Sequence, residues 1–115
     1  MWVANIQGVL ARVFVDDLDA TIPFYDGLTG QEARRFGFRE VQAARVGSFL
    51  LFAGDTEAYR DRVGTILVRD LGPVLETLTS SGGSVVEGPA PAPNGARLIA
   101  RHPDGSVFEY IESGA

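Results

Sequence analysis

The chain repeats itself, and that constrains its fold more than any other feature. Val9-Leu10-Ala11-Arg12-Val13-Phe14-Val15-Asp16-Asp17-Leu18 and Arg62-Val63-Gly64-Thr65-Ile66-Leu67-Val68-Arg69-Asp70-Leu71 are both apolar-rich runs ending Val-x-Asp-Leu, 53 residues apart. Each leads into a helix-like stretch and then a glycine, Gly30 and Gly83, at the same offset. Further on, Gly47-Ser48-Phe49-Leu50-Leu51-Phe52 matches Gly105-Ser106-Val107-Phe108-Glu109-Tyr110. One match is within chance; three in the same order indicate a duplicated module. At 115 residues the chain has the length of one compact domain. We read 1–115 as a single domain, with module 1 over about 8–58 and module 2 over about 62–113.

Each half reads βαβββ. The first strand covers roughly 9–15, and Asp17 is placed to cap the next helix by accepting from its free N–H groups. Leu18, Ile22 and Tyr25 recur at helical spacing. Pro23 deletes a backbone donor there and is expected to kink the helix. Strands near 34–39, 41–46 and 48–53 complete the half. In the second half Asp70 caps a helix with Pro73 in its first turn, where a missing N–H costs little. Its apolar stripe is Leu71, Val74, Leu75 and Leu78, and Gly82-Gly83 ends it. Strands near 84–87, 96–101 and 106–111 follow. Gly88 to Gly95, with three prolines, reads as a stiff connection closing in an Asn-Gly turn.

Composition narrows the function classes. Fifteen acids against ten bases give a net charge of −5, and every base is arginine. That balance opposes non-specific nucleic-acid binding, which requires phosphate neutralisation. The lack of lysine removes Schiff-base chemistry and lysine-dependent phosphate loops. The lack of cysteine removes disulfides, thiolate zinc sites and thiol nucleophiles. No apolar run approaches the roughly 20 residues of a membrane span, and the N-terminus does not read as a secretory signal. A cytoplasmic protein is expected, with no nucleic-acid or membrane partner.

The order of these motifs resembles the vicinal oxygen chelate superfamily, the glyoxalase, bleomycin-resistance and extradiol-dioxygenase group. Val15-Asp16-Asp17-Leu18, Phe24-Tyr25 and Leu28-Thr29-Gly30 carry the resemblance in the first half. Val68-Arg69-Asp70-Leu71, Gly82-Gly83 and Val86-Glu87-Gly88-Pro89 carry it in the second. His102-Pro103-Asp104-Gly105-Ser106-Val107-Phe108-Glu109 is similar to the family's terminal Asp-Pro-Asp-Gly-Asn-x-x-Glu. The resemblance spans about residues 8–112 and implies an α+β fold. Two βαβββ modules would form a cup-shaped mixed β-sheet with the helices outside, commonly in a homodimer, and the cup would hold a ligand.

Side chains alternate along a strand, so the cup lining can be assigned. Ala11, Val13, Val15, Ile66 and Val68 are expected to face the helices, with Leu50, Phe52, Phe108 and Tyr110. Leu10, Arg12, Phe14, Val63, Thr65 and Leu67 then face the cup, with Phe49, Leu51, Ala53, Val107, Glu109 and Ile111. The family's metal enzymes carry ligands at positions that match Leu10, Leu51, Val63 and Glu109 here. Three of those four cannot coordinate an ion, and one glutamate is not a site. The resemblance therefore implies the fold without the family's metal chemistry, and no cofactor is expected.

The polar points of this interior are the candidates for function. Glu109 reads as a salt-bridge partner of Arg12, as a ligand-contacting acceptor, or as a general base made more basic by burial. Arg12 is placed to fix a carboxylate, phosphate or carbonyl through parallel hydrogen bonds, unless it reaches solvent. His102, the only histidine, reads as a turn residue. Arg34, Arg35, Arg39 and Arg45 interleave with Phe36 and Phe38, reading as a solvated edge strand whose two rings extend the aromatic wall of the cup. Trp2 is either a tail residue packing on a partner subunit or a lid.

Two functions compete. One is a binding protein that sequesters a small apolar or aromatic natural product, as the bleomycin-resistance branch does for its drug. Its contacts would be Arg12, Phe14, Phe36, Phe38, Phe49, Leu51, Val63, Thr65, Leu67, Val107, Glu109 and Ile111. The other is a metal-free isomerase, cyclase or lyase of secondary metabolism, with Glu109 moving a proton and Arg12 stabilising enolate-like charge. A metal-dependent glyoxalase or dioxygenase stands third, because it lacks ligands.

Overall fold

A computed structural model describes residues 4–92 and 95–113, with the backbone alone for Phe38 and Ser113; Trp2 and Asn94 lie outside the described residues. The described residues divide into two compact units, 10–61 and 62–113 with 4–9. In the first, the strands are β1 (Ile6–Phe14, of which residues 10–14 belong to this unit), β2 (Arg34–Phe38), β3 (Val41–Val46) and β4 (Phe49–Gly54), with helix α1 (Leu18–Thr29) between β1 and β2. Their order is β2-β3-β4-β1, and β1 pairs with β4 in parallel through residues 11–14. The second unit holds β5 (Arg62–Val68), α2 (Leu71–Ser81), β6 (Ser84–Ala92), β7 (Gly95–Arg101) and β8 (Val107–Ser113). Here the order runs β6-β7-β8-β5, again with the first strand parallel to the last. Both units are thus βαβββ, each a mixed four-stranded sheet with one helix on one face.

The helix ends follow local chemistry. Asp17 accepts from Ala20 N at 3.3 Å, and Asp70 accepts from Gly72 N at 2.8 Å. A further free N–H of α2, that of Leu71, is taken by Glu112 Oε2 at 2.8 Å. Both helices stop on a left-handed glycine, Gly30 at φ 70° and Gly82 at φ 87°. The second stop falls one residue before Gly83, because α2 is 11 residues long and α1 is 12. Helix α1 runs unbroken past Pro23. The apolar side chains of each helix close a core against one sheet face. Leu18 and Ile22 meet Ala44, Val46, Leu51 and Ala53, and Leu71 and Leu78 meet Ile66, Val68, Leu98 and Tyr110.

Three sequence expectations are corrected. On β4, Phe49, Leu51 and Ala53 pack towards α1, so the expected facing of that strand is inverted. In register terms, Arg12 pairs with Leu50 and Thr65 with Glu109, so Leu50, not Leu51, is the counterpart of Glu109. Matching the Gly-Ser pairs slipped the alignment by one residue, and one residue exchanges the two faces of a strand. On β5, the pairing shifts between Arg62 and Gly64, so Val63 is the extra residue of a bulge. It is exposed, and Arg62 takes the place beside Val107. Finally, the proline-rich stretch continues as strand to Ala92. Strand β6 is the outer strand of its unit's order, where a proline's missing donor leaves no partner unsatisfied.

Candidate functional site

Residues in register on neighbouring strands project from the same face. On the first unit's face opposite α1, Phe14, Phe52, Ala43 and Phe36 therefore form one row across all four strands. The next row is Arg12, Leu50, Arg45 and Arg34. The rings of Phe14 and Phe52 stack with centroids 5.6 Å apart. The Arg12 guanidinium lies 4.9 Å from the Phe52 centroid, and that of Arg60 lies 5.0 Å from Phe14. Stacking of this kind holds a guanidinium flat against a ring and fixes the direction of its N–H edges. Phe36 stays 46% exposed at the outer strand. An aromatic strip beside a row of three arginines can receive a flat ligand carrying negative charge.

The corresponding face of the second unit has different chemistry. Its rows are Thr65, Glu109, Ile99 and Glu87, and then Leu67, Ile111, Arg97 and Ala90. Thr65, buried, donates to Glu109 Oε1 at 3.1 Å, and Arg97 Nε donates to Oε2 at 3.4 Å. Arg97 also donates to Glu87 Oε1 at 3.1 Å, and Arg62 lies 3.7 Å from Glu87 Oε2. Arg62, Arg97 and Glu109 side chains are only 10%, 11% and 14% exposed. Glu109 is thus a braced hydrogen-bond acceptor. Among the described residues no three His, Asp or Glu side chains gather as a metal-binding group.

Several sequence candidates therefore share a face. Arg12, Phe14 and Phe36 come together in the first unit, where Phe52 joins them in place of Phe49 and Leu51. Thr65, Leu67, Val107, Glu109 and Ile111 share the open face of the second unit, where Val63 is displaced by its bulge. The Phe38 side chain lies outside the described residues. Arg97, Arg62 and Glu87 escaped the sequence reading, although alternation from buried Leu98 would have placed Arg97 opposite the helix. His102 is more than a turn residue: its Nε2 lies 2.6 Å from Tyr110 Oη, and its ring stacks on Phe108 with centroids 4.6 Å apart. Burial pushes the Tyr110 phenol up. In the adjoining turn, hydrogen bonds from the Ser106 hydroxyl and backbone N–H hold the Asp104 carboxyl below its usual value.

The comparisons with known proteins agree with this geometry. The Glyoxalase/Bleomycin resistance protein/Dioxygenase superfamily model matches residues 6–110. The chain belongs to this superfamily. A crystal structure of an uncharacterised protein from Methanosarcina mazei superposes with a TM-score of 0.89 at 32% identity, covering 96% of this chain and 95% of that one. Methylmalonyl-CoA epimerase from Mycobacterium tuberculosis gives 0.72 at 19% identity, covering 100% and 93%. A variant of Streptomyces coelicolor methylmalonyl-CoA epimerase, in complex with 2-nitronate-propionyl-CoA, gives 0.71 at 17% identity, covering 97% of each chain. At such identities the two epimerases share the superfamily fold and carry nothing further. No curated protein matches the sequence. Among the described residues no helix is long and apolar enough to cross a membrane.

Proposed function

We propose that this chain is a small-molecule-binding member of its superfamily that sequesters an aromatic natural product without a metal. The observation that carries this reading is the row Phe14, Phe52 and Phe36 beside the row Arg12, Arg45 and Arg34 on one strand face. The rings offer a flat apolar surface, and a stacked arginine offers paired donors to a carboxylate or carbonyl. In the register of the strands, the positions that match the family's metal ligands fall at Leu10, Leu50, Arg62 (in place of the bulged Val63) and Glu109, which are two aliphatic side chains, a cation and one carboxylate. A homodimer belongs to this reading, and sedimentation velocity tests it.

The alternative, a metal-free isomerase, cyclase or lyase with Glu109 as its acid/base, finds less support. Both oxygens of that carboxylate already accept hydrogen bonds, from Thr65 and Arg97, so the group is engaged by the chain's own side chains.

Equilibrium dialysis with a panel of flat aromatic carboxylates, naphthalene-2-carboxylate first, tests the proposal. Binding is expected to saturate and to weaken about tenfold or more in Arg12→Ala, the loss of one charge-assisted hydrogen bond. It is expected to persist in Glu109→Gln. No saturable binding across the panel would overturn it, and turnover that vanishes in Glu109→Gln while binding remains would favour the enzyme.

A further inference from the structure

We propose that the second unit carries another small-molecule site, on its helix side, for a neutral and mainly aromatic molecule bearing one hydroxyl or N–H group. The site is a cavity of about 450 Å³ between α2, the strand β8 and the start of β1, on the sheet face opposite to Glu109. That volume lies in the range of small-molecule pockets, which are apolar clefts with a few convergent polar groups. The walls have that character: Ile6, Pro73, Val74, Leu78 and Pro103 are apolar, and the polar groups are His102 and Tyr110 together with Asn5, Thr77 and Ser81.

The walls are held in place before any ligand arrives. Asn5 donates to Asp70 O at 3.0 Å and accepts from Asp70 N at 3.1 Å, while its carbonyl accepts from Arg69 N at 2.9 Å. These bonds fix the segment carrying Ile6 beside the start of α2. His102 is fixed by its stack on Phe108 and by its backbone bond from N–H to Ser106 O at 2.8 Å.

The ligand class follows from the His102–Tyr110 bond. A tyrosine hydroxyl has one proton and two acceptor lone pairs. If Tyr110 donates to Nε2, both lone pairs remain; if Nε2–H donates, one remains. In either tautomer an acceptor persists in the cavity wall, so the fitting molecule brings a donor. Among the described residues no charged side chain lines the cavity, which disfavours an ion.

Because His102 is the only histidine, its ring protons give a single assignable set of signals in the NMR spectrum of the full chain. Titration with 2-naphthol is expected to shift those signals saturably. Thr77→Trp, at an exposed helix position lining the cavity, is expected to abolish the shift without unfolding the protein. Tyr110→Phe should weaken binding by about tenfold, and Arg12→Ala should leave it unchanged. Three results would overturn the proposal: signals unmoved by 2-naphthol, a shift that survives Thr77→Trp, or signals that move with protein concentration alone, which would mean a second copy of the chain covers the cavity.

Discussion

The two units share a topology and part company on one face. Towards the helices their cores are built alike: a capping aspartate, two buried leucines or isoleucines on the helix, and fully buried strand residues such as Leu51 and Leu98. Away from the helices, equivalent rows read Arg12, Leu50, Arg45, Arg34 in one unit and Thr65, Glu109, Ile99, Glu87 in the other. The helix side closes a core and tolerates only volume-matched apolar residues. The open side is free to differ in charge, and it is there that the rows of the two units diverge most.

The comparison can be broken or sharpened by substitution. The largest effects belong on the helix side, where Leu51→Ala and Leu98→Ala should each cost about 3 kcal/mol in urea unfolding. A small loss for Leu51→Ala alone would show that β4 does face away from α1. Next comes Arg97→Ala, expected to cost about 2 kcal/mol because it strips a charged partner from a nearly buried Glu109. Arg12→Ala, the row-mate of Leu50, should cost far less stability while weakening ligand binding. Equal losses for Arg97→Ala and Arg12→Ala would erase the distinction between the two faces. Asp17→Ala and Asp70→Ala should match each other at about 1 kcal/mol, the usual worth of an N-cap. Smallest is the exposed Arg35–Asp19 pair, where Arg35→Ala should change stability by no more than about 0.5 kcal/mol.

Asp104 adds a pH arm. Its carboxyl is held below the ordinary value in the folded chain, so it favours the folded state above the unfolded value and loses that effect as the pH falls through the folded one. Ser106→Ala removes the hydroxyl bond, and NMR titration of the Asp104 carboxyl should show its midpoint rising towards the usual carboxylate range.

The repeated βαβββ order is legible in the sequence because capping residues, glycine stops and apolar periodicity are local signals. The phase of β4 is not: Phe49-Leu50-Leu51-Phe52-Ala53 is apolar at every position, so alternation has nothing to report. Only the pairing of Arg12 with Leu50 settles it. The bulge at Val63 is hidden for a similar reason, since the run Arg62-Val63-Gly64-Thr65 reads as an unbroken strand. Arg97 reaches Glu109 on one neighbouring strand and Glu87 on the other, an arrangement set by strand register that no spacing announces. The aromatic row is intermediate. Phe14 and Phe36 are visible as candidates, but their alignment with Phe52 requires the register.

The claim that binding proceeds through the arginine and phenylalanine rows without a metal is met most directly by calorimetric titration of EDTA-treated protein with naphthalene-2-carboxylate. We expect one saturable site whose affinity is unchanged by added zinc, nickel or manganese. Heat of binding that appears only after a divalent metal is restored would contradict the account.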